Sequence, residues 1–576
     1  MEVDAWLAEL VVRAALSCGC DSFDPEIRPS DPKFGDFQAN GVLQCAKKCG
    51  QNPRALAEKI VSLLSGQGEV GEDVSISTAG PGFINFKFGN RFLCKWLNEH
   101  LNADSFRPGH TSFAGKTVVV DYSSPNTAKQ MHVGHLRSMN IGESICRLLE
   151  FCGANVIRDN HIGDWGTQFG ILIMAIKREN VDLDALPTAA ALSAVERLYK
   201  VGNSLAKEDE SYLSRARSEL LKLQNGDAEN TKIWKKINEI SHAAFEKIYA
   251  EFGVKFDCVL GESFYRDRVD AVCQSLEKCG IARLDGGALI VSFGEHTRFK
   301  DQPFLVRKSD GASNYATTDI ATVEYRVEHF HADEIVYVTD GRQQDHFQQL
   351  FMTIDRWFKC RKLATPGLHH VWFGTILGEG GKAIKTRDGS QIYLQDLVAE
   401  AKKRAHRIVS EKNPNLSEGE KGSIASLVGL NSIRYFDLAQ NRTSDYVFSW
   451  ENMLSFDGNT AVYLLYAIAR IHSILDRVHG GNFVADALET EEECALVRKL
   501  LYFPVVLKQA IADLRPHYLC TYLYELTGEY STFYGANRVL VDDITVRNRR
   551  LALCERTLLV LELGLNLLGM AALRKM

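Results

Sequence analysis

The chain has 576 residues, 45% of them hydrophobic, and a formal net charge of -6. This length predicts about three or four domains, and the negative charge argues against a protein held on nucleic acid by a global positive field. No segment approaches the roughly 20 uninterrupted apolar residues of a membrane span, and the apolar start is broken by Glu2, Asp4 and Glu9, unlike a secretory signal. We expect a cytoplasmic protein without membrane contact.

The fourteen cysteines are not spaced like metal knuckles. One residue separates Cys18 from Cys20 and three separate Cys45 from Cys49, and no pair of C-x-x-C motifs is present. Tetrahedral zinc sites usually need such pairs, and disulfides are rare in proteins that are not secreted. The sequence therefore predicts free thiols, no bound metal and no zinc.

Residues 1–110 alternate helix-like segments with short strands. Apolar periodicity in "VDAWLAELVVRAAL" and "PRALAEKIVSLL" predicts helices, and "VSISTAGPGFINFKF" predicts strands. This pattern is typical of a small α+β domain, and the turn residues of "RPGH" mark its end.

Residues 111–414 repeat a strand, a turn and a helix, which predicts a parallel sheet with crossover helices. The first unit runs from "KTVVVDYSS" into "HVGHLRSMNIGESICRLLEFCG". A charge-rich, mostly helical insertion at about 178–300 splits the sheet. Beyond it we predict a hairpin in "PFLVRKSDGASNYATT" and two more strand-to-helix units, which include "EIVYVTDGRQQDHF" and "HHVWFGTIL".

Residues 415–576 lose the strand pattern. Long segments with helical apolar periodicity, such as "NTAVYLLYAIARIHSILDRV", predict an all-α bundle. The expected fold class is therefore α/β, with a split Rossmann-type parallel sheet, an N-terminal α+β domain and a C-terminal all-α bundle. Two basic clusters, 401–407 and 546–550, could contact phosphates or could be solvated helix faces.

The stretch "DYSSPNTAKQMHVGHLRSMNIG" places two histidines where the first strand gives way to a helix. In parallel sheets ligands bind at the carboxyl ends of strands, where a helix N-terminus attracts phosphate. His132 and His135 lie one helical turn apart, and Gly134 lets a ribose or an adenine approach the backbone. The pattern predicts a nucleotide phosphate site; a two-histidine metal site and a chance occurrence remain alternatives.

These residues also resemble a known family. "HVGH" matches the H-I-G-H motif of class I aminoacyl-tRNA synthetases with one aliphatic change, and "NHIGDWGTQFG", "YATTDIA", "NRTSDYVFSWENML" and "GNTAVYLLYAIAR" resemble its arginyl branch. The resemblance covers essentially the whole chain. It implies ATP-dependent ligation of L-arginine to tRNA(Arg) through an arginyl-adenylate, with Mg²⁺ bound alongside ATP and release of AMP and pyrophosphate.

A guanidinium is a permanent cation with donors in a planar fork, so its pocket needs carboxylates. Asp319 and Glu262 are the best-placed acids, and the resemblance implies that they bind the arginine side chain. It implies further contacts with the amino acid from residues near these acids and near the first motif: Ser124, Asn126, His135, Tyr315 and Gln343.

A second class I motif, K-M-S-K-S, is altered. In "GEGGKAIKTRDGSQ" the position of its phosphate-binding lysine is taken by Ala383. The resemblance implies that a lysine just before the first motif compensates, and Lys129 occupies that place. Lys382 and Lys385, in the glycine-rich loop, are the rival candidates.

Contacts to tRNA are expected at both ends of the chain. In the bundle, Tyr463, Tyr466 and Tyr534 are candidates for stacking on bases, and in the N-terminal domain Phe83 and Asn85 could touch the tRNA elbow. Each of these side chains could instead fill a core. The resemblance implies a monomer that needs its tRNA for the activation step.

Two other functions remain open from the sequence. A small-molecule adenylyltransferase would keep the histidine motif, although it would leave both end domains unexplained. A non-catalytic RNA-binding paralogue would account for the missing loop lysine, although retention of the histidine pair and both acids weighs against it.

Overall fold

The structure is a computed structural model that describes residues 2–21, 23–66, 70, 73–109, 111–309, 311, 315–381, 392–478 and 483–575. The chain forms two compact units. The first contains Met1–Ser112, Ala405–Ala439 and Glu451–Met576, and the second contains Phe113–Arg404 and Gln440–Trp450. The three-domain division expected from sequence stays a prediction.

The N-terminal stretch folds into four strands and four helices. Its antiparallel sheet has the order β1-β2-β4-β3, and apolar side chains such as Phe37 and Phe86 are completely buried against the helices. The elements are α1 (Val3–Ser17), β1 (Ile27–Pro29), β2 (Phe37–Ala39), α2 (Val42–Lys48), α3 (Pro53–Gly66), β3 (Val74–Ala79), β4 (Phe83–Phe88) and α4 (Asn90–Glu99).

The second unit begins with two strand-to-helix units and continues into the helical insertion. The apolar faces of the insertion helices pack with α6 in a cluster that includes Phe169 of α6 and Val195 and Ile237 of the insertion. The elements are β5 (Thr117–Asp121), α5 (Val133–Phe151), β6 (Asn155–Asp159), α6 (Thr167–Glu179), α7 (Thr188–Glu208), α8 (Glu210–Gln224) and α9 (Ala228–Phe252).

A three-stranded antiparallel sheet and the rest of the parallel sheet follow. After a 3₁₀ turn (Glu262–Arg268), the elements are α10 (Val269–Lys278), β7 (Ala282–Asp285), β8 (Ala288–Val291), β9 (Phe304–Arg307), α11 (Tyr315–Phe330), β10 (Glu334–Tyr337), a 3₁₀ turn (Gly341–Gln343), α12 (Gln344–Arg361), β11 (Gly367–His370), β12 (Ile376–Leu377), a 3₁₀ turn (Glu379–Gly381) and α13 (Leu394–Lys412).

The central sheet is parallel throughout, with the order β11-β10-β5-β6. Val118, Val119 and Val120 of β5 are fully buried, as expected for a strand covered by helices on both faces. The insertion separates β6 from β10 along the chain. The predicted split parallel sheet is therefore confirmed.

Three local predictions were wrong. The segment "PFLVRKSDGASNYATT" is not a hairpin, because β9 pairs with β8 and the later residues start α11 at Tyr315. "HHVWFGTIL" enters β12 rather than a helix. Strands also persist beyond residue 415, because β13 (Tyr446–Val447) pairs with β12 in parallel.

The remaining helices form the predicted bundle in the first unit, apart from Trp450, which the second unit contains. They are α14 (Glu418–Leu438), α15 (Trp450–Met453), α16 (Ala461–Leu475), α17 (Glu491–Leu501), α18 (Phe503–Ala512), α19 (His517–Ala536) and α20 (Ile544–Leu567). Inside this unit the bundle holds the N-terminal sheet through Arg498, which pairs with the buried Asp36 at 2.7 Å. None of the described helices is long and apolar enough to cross a membrane.

Candidate active site

The carboxyl ends of β5 and β10 lie where the parallel sheet changes direction. From β5 the chain crosses to β6 on one side, and β10 pairs with β5 on the other side, so the loops after these two strands diverge and leave a crevice. A cavity of about 230 Å³ opens there. Its walls include His132, Gly134, Arg137, Asp340, Arg342 and Phe373.

The two histidines of the motif are interlocked at the start of α5. His132 is the N-cap, and its Nδ1 accepts a hydrogen bond from the backbone N–H of Gly134 at 3.0 Å. The backbone N–H of His132 donates in turn to Nδ1 of His135 at 3.1 Å. Because Nδ1 of His132 is an acceptor, the proton of its neutral ring resides on Nε2, where it can be donated to a ligand. Nδ1 of His135 also lies 3.3 Å from the carbonyl oxygen of His132, so this contact would instead be a hydrogen bond in the other tautomer of the ring.

Both imidazoles are neutral near pH 7. Burial is the main cause that lowers the pKa of His135 to about 3, and the charges of His132 and Lys129 contribute to this lowering. Burial likewise lowers the pKa of His132, with added lowering from Lys129 and Arg342. The site therefore offers neutral donors beside fixed cations, which suits an anionic phosphate.

Gly134 is required by the ring of His132. A Cβ at this position would lie 2.7 Å from Cε1 and 2.9 Å from Nδ1 of that imidazole. Any larger residue would push the ring away from its cap position. The motif predicts that Gly134 lets a ligand approach the backbone, and the structure adds that Gly134 makes room for the ring of His132.

Arg137 fixes the wall of the cavity, and the sequence gave no indication of it. Its side chain is 1% exposed, and one guanidinium nitrogen donates to the carbonyls of Gly374 at 2.7 Å and Ser444 at 3.1 Å. The guanidinium also lies over the ring of Tyr446, 5.1 Å from its centre. Helix α5 is thereby tied to the segments that form β12 and β13.

Ser124 and Asn126 lie in the loop that leaves β5. Ser124 has a positive φ of 44°, its Oγ donates to Asp121 at 2.9 Å, and its N–H donates to the amide oxygen of Asn160 at 3.1 Å. Asn126 is exposed and bridges to Gly163, where a Cβ would lie 2.0 Å from the Asn126 side-chain oxygen. The loops after β5 and β6 are thus held together by small and polar side chains.

An acidic group lies beside these loops. Burial raises the pKa of Glu262 to about 7; His161 lowers it, whereas Asp319 and Asp164 raise it. Asp319 is in contact with His346, whose Nε2 is 2.6 Å from the carboxylate. The structure therefore brings the two predicted acids, Glu262 and Asp319, close enough to interact electrostatically.

His161 is a further member of this group that the sequence argument did not single out. Its Nδ1 donates to the carbonyl of Leu260 at 2.8 Å. Burial favours its neutral form, but the carboxylates of Asp121 and Asp319 outweigh that effect and raise its pKa. His161 belongs to the family-like stretch "NHIGDWG". The sequence therefore indicates the residue, but its role depends on carboxylates from other segments, which only the fold brings near it.

Of the other two predicted arginine contacts, Tyr315 borders this group, and Gln343 is placed only by its position before α12. The ring of Tyr315 lies 4.9 Å from that of His346 and is 59% exposed. Gln343 is exposed and ends the 3₁₀ turn just before α12, the helix that carries His346.

Beneath the group, Arg326 joins the ends of two strands. It is fully buried and donates to the carboxylates of Asp121 at 2.6 Å and Asp159 at 2.8 Å. Two buried carboxylates at the carboxyl ends of β5 and β6 would repel each other without this cation. Arg326 thus stabilises the edge of the sheet on which the site is built.

Lys129 extends from the loop before the histidine motif. Its ammonium lies 4.7 Å from the ring centre of Tyr199, and its charge lowers the pKa of both His132 and His135. The cation is therefore near the two imidazoles. The rival lysines, Lys382 and Lys385, lie outside the described residues.

In the first unit, two of the predicted bundle tyrosines border one groove. Tyr466 and Tyr534 are 46% and 38% exposed, and the guanidinium carbon of Arg470 lies 4.7 Å and 5.1 Å from their ring centres. The groove has a volume of about 940 Å³, and Arg477, Arg574 and Lys575 also line it. Tyr463 lines a neighbouring pocket of about 360 Å³ with Tyr466 and Arg470.

The N-terminal tRNA candidates are placed differently. Phe83 is half-buried at the start of β4, and Asn85 is only 2% exposed, with its side-chain oxygen accepting from Gln38 at 2.6 Å. Phe86 fills the core of the sheet. A tRNA contact by Phe83 or Asn85 stays a prediction, and the burial of Asn85 favours its alternative role in the core.

The basic cluster at 546–550 is largely neutralised by acids. Arg549 is buried and pairs with Glu489 at 2.6 Å, and Arg550 pairs with Glu493 at 3.1 Å. These contacts favour a structural role for the cluster over phosphate binding.

The expectation of free thiols was wrong for one pair. Cys279 and Cys360 form a disulfide, with Cα atoms 6.1 Å apart. They are 81 residues apart in sequence, and only the packing of α10 beside α12 brings them within the range that a disulfide spans. The other twelve cysteines are free.

Three family models match successive parts of the chain. Residues 6–88 match "Arginyl tRNA synthetase N terminal domain", residues 99–450 match "tRNA synthetases class I (R), catalytic domain", and residues 464–576 match "DALR anticodon binding domain". Together they span both compact units.

Individual relatives agree with these matches. The chain is 40% identical over 590 residues to an arginine–tRNA ligase from Actinobacillus succinogenes, with both chains covered completely. It superposes on the crystal structure of arginyl-tRNA synthetase from Plasmodium falciparum with a TM-score of 0.83 and 29% identity, covering 100% of this chain and 99% of that one. Thermus thermophilus arginyl-tRNA synthetase, at 23% identity, a TM-score of 0.81 and complete coverage of both chains, shares the fold.

Proposed function

The chain belongs to the arginyl-tRNA synthetases of class I, and from this premise we propose which of its residues carry out each step. The enzyme ligates L-arginine to tRNA in an ATP-dependent reaction. The arginine carboxylate attacks the α-phosphate of ATP, pyrophosphate leaves, and a ribose hydroxyl of the tRNA then attacks the arginyl-adenylate and releases AMP. The alternatives of an RNA-binding paralogue and a small-molecule adenylyltransferase receive no support from the comparisons.

ATP binds in the cavity beside the start of α5. The observation that carries this assignment is the interlocked pair of His132 and His135, two imidazoles whose lowered pKa values keep them neutral and whose positions are fixed by backbone hydrogen bonds. Fixed donors stabilise charge that develops on the phosphate oxygens without reorganising during the reaction. Mg²⁺ enters with ATP as part of the substrate, bound through the phosphates.

Lys129 supplies the cation that the altered second motif lacks. It acts electrostatically on both imidazoles, and its ammonium is held over the ring of Tyr199. A lysine placed there adds positive charge beside the α-phosphate, where the transition state gains negative charge. Lys382 and Lys385 remain the competing candidates for this role.

Arginine binds with its guanidinium at the acidic group. Glu262 and Asp319 supply carboxylates for the planar fork, and Tyr315 and Gln343 are the further contacts that the resemblance implies. At the other end of the substrate, Ser124, Asn126 and His135 bind the ammonium and carboxylate groups, which places the attacking oxygen near the cavity.

The tRNA is bound in part by the aromatic groove of the bundle. Tyr466 and Tyr534 present ring faces, and Arg470 lies between them as a cation, a combination that suits unstacked bases. Tyr463 borders the neighbouring pocket, and Phe83 and Asn85 are the N-terminal candidates. A monomeric state and a cytoplasmic location stay predictions, supported by the resemblance.

The acidic pair can be tested with substrate analogues. Citrulline has nearly the shape of arginine but no charge, so it would leave the carboxylates unpaired, and we expect kcat/KM to fall by about 10⁴-fold or more. Glu262→Gln should reduce this discrimination, whereas Glu277→Gln, an exposed acid on α10, should not. Equal use of arginine and citrulline by the wild-type enzyme would contradict the assignment.

The lysines can be compared by replacing each with methionine and measuring single-turnover adenylate formation. Lys129→Met should slow the step by about 10²-fold or more, as expected for loss of one stabilising donor. Lys382→Met and Lys385→Met should have smaller effects. A larger loss with Lys385→Met would transfer the role to the glycine-rich loop.

A further inference from the structure

The N-terminal domain brings Cys20 beside two cysteines of a later helix end, Cys45 and Cys49. Cys20, Cys45 and Cys49 have sulfur atoms that all lie within 4.8 Å of one another. Cys20 and Cys45 are 1% and 2% exposed, respectively, and Cys49 is exposed. Among the described residues, no other group of three or more His, Cys, Asp or Glu side chains has this proximity.

The end of α1 fixes the position of Cys20. The backbone N–H of Gly19 donates to Leu16 at 3.0 Å and that of Cys20 donates to Ala15 at 3.1 Å, which is the hydrogen-bond pattern of a Schellman motif. Gly19 has a φ of 79°, the left-handed conformation that this motif needs. Cys20 is thus held at a defined point beyond the helix.

The end of α2 fixes the other two thiols in the same way. Cys45 and Cys49 are four residues apart, so their side chains lie on one helix face. Beyond Cys49, Gly50 has a left-handed φ of 64° and the N–H of Gln51 donates to Ala46 at 2.9 Å, the longer of the two hydrogen bonds of a Schellman motif.

A side-chain hydrogen bond links the two helix ends. The amide nitrogen of Gln51 donates to the carbonyl of Cys18 at 3.3 Å. The three sulfur atoms are therefore brought together by backbone structure rather than by flexible side chains alone.

We propose that Cys20, Cys45 and Cys49 bind a thiophilic d¹⁰ cation of the Zn²⁺ class through three thiolates, with a water molecule as the fourth ligand on the exposed side of Cys49. Thiolates bound to Zn²⁺ at about 2.3 Å lie about 4 Å apart in a tetrahedral site, which the observed spacing accommodates. The site is independent of the aminoacylation chemistry, and it replaces the expectation of no metal, which considered only cysteines close in sequence.

The state of the thiols limits which ions can bind. Burial, together with hydrogen bonds that the Cys20 thiol donates to Cys45 and Cys49, raises the pKa of Cys20 to about 12, and burial also raises the pKa of Cys45. An entering cation must therefore displace protons to solvent, one from each thiol. Ions with strong bonds to sulfur do this, and hard cations such as Mg²⁺ do not.

Cd²⁺ is a suitable probe because thiolate-to-Cd²⁺ charge transfer gives an ultraviolet absorption. The full-length enzyme, kept reduced with a phosphine, would be titrated with Cd²⁺ alone and then with competing Zn²⁺. We expect one saturable site per chain, displacement by Zn²⁺, and a rise in melting temperature on binding. Cys49→Ser changes an exposed residue, so the fold is retained, and it should weaken binding by at least about tenfold.

Cys18→Ser is the matched control, because Cys18 lies in the same loop as Cys20 but outside the cluster. It should bind Cd²⁺ like the wild type. Both variants keep Cys279 and Cys360, so any Cd²⁺ binding by these two residues is the same in both. The difference in Cd²⁺ affinity between the two variants therefore comes from the cluster. Absence of a saturable absorption in the wild type, or equal losses in the two variants, would overturn the proposal, as would formation of a disulfide within the cluster in the phosphine-treated protein.

Discussion

The cavity beside His132 and the groove beside Arg470 present polar side chains in opposite ways. In the cavity, ring nitrogens and the buried Arg137 guanidinium are held by backbone hydrogen bonds. In the groove, Tyr466 and Tyr534 are partly exposed and contact Arg470 through their ring faces. The difference matches the two tasks: transfer at phosphorus needs donors fixed in advance, whereas stacking on bases tolerates side chains that adjust.

The strongest test of the fixed site is removal of a histidine donor. His132→Ala should lower the rate of adenylate formation by about 10²–10³-fold, because one donor to the phosphate is lost. The rate would be measured by rapid quench with saturating substrates. His132→Asn keeps an N-cap acceptor and an N–H donor, so it should retain more activity; equal loss in both variants would show that the donor is not what matters.

The acidic group should make arginine binding depend on pH. With a pKa of about 7, Glu262 is ionised above neutrality and protonated below it, and the guanidinium prefers the ionised form. The KM for arginine should therefore be constant above about pH 8 and rise toward tenfold per pH unit below 7.

A control separates Glu262 from its neighbours. Glu262→Gln should give a high KM with little pH dependence, although His161, Asp319 and Asp164 are still present. If the variant keeps the pH profile of the wild type, the titrating group is one of those neighbours and the assignment to Glu262 is wrong.

The packing of Gly134 against His132 predicts that a substitution of Gly134 also lowers the catalytic rate, but by less than removal of the His132 ring. Gly134→Ala places a methyl group 2.7 Å from the His132 ring, so the ring must shift. Misplacement of a catalytic group by about 1 Å can cost about 10²-fold, and we expect a loss of tenfold to hundredfold in kcat. Gly528→Ala, on α19 with open space at its Cβ position, should have no effect on kcat.

Substitutions in the groove should have smaller effects than those in the histidine site, and they should change only the affinity for tRNA. Tyr466→Ala should weaken the affinity for tRNA by about fivefold to a hundredfold, the range for loss of one stacked base. Filter binding at fixed salt would measure it. Tyr518→Ala is the control, because Tyr518 is a half-buried tyrosine at the start of α19 and does not line the groove. An equal loss of tRNA affinity in this variant would show a general effect on the bundle.

Sequence periodicity and motif spacing were sufficient for the parallel sheet, the helical insertion and the bundle. They were also sufficient to identify His132 and His135, because these residues are close in sequence and follow a strand directly. The hairpin in "PFLVRKSDGASNYATT" was wrong because glycine and asparagine also occur in loops that lead into a helix. The strand partner of β9 lies earlier in the chain, and local pattern does not reveal it.

Contacts between distant residues could not be predicted. Arg326 on helix α11 pairs with Asp121 and Asp159 at the ends of two strands, and His346 contacts Asp319 across 27 residues of sequence. Each of these residues reads as an ordinary charged or polar position in its own segment. The sequence predicted each tyrosine of the groove separately. The position of Arg470 between Tyr466 and Tyr534 could be found only from the structure.

Arginine-dependent exchange of pyrophosphate into ATP tests the central claim most directly. The purified enzyme would be assayed with and without tRNA, and with His132→Ala as the reference of reduced activity. The account predicts exchange that requires arginine, occurs only when tRNA is present, and falls by about 10²–10³-fold in the variant. Absence of exchange and of arginyl-tRNA formation under both conditions, with folded protein, would contradict it.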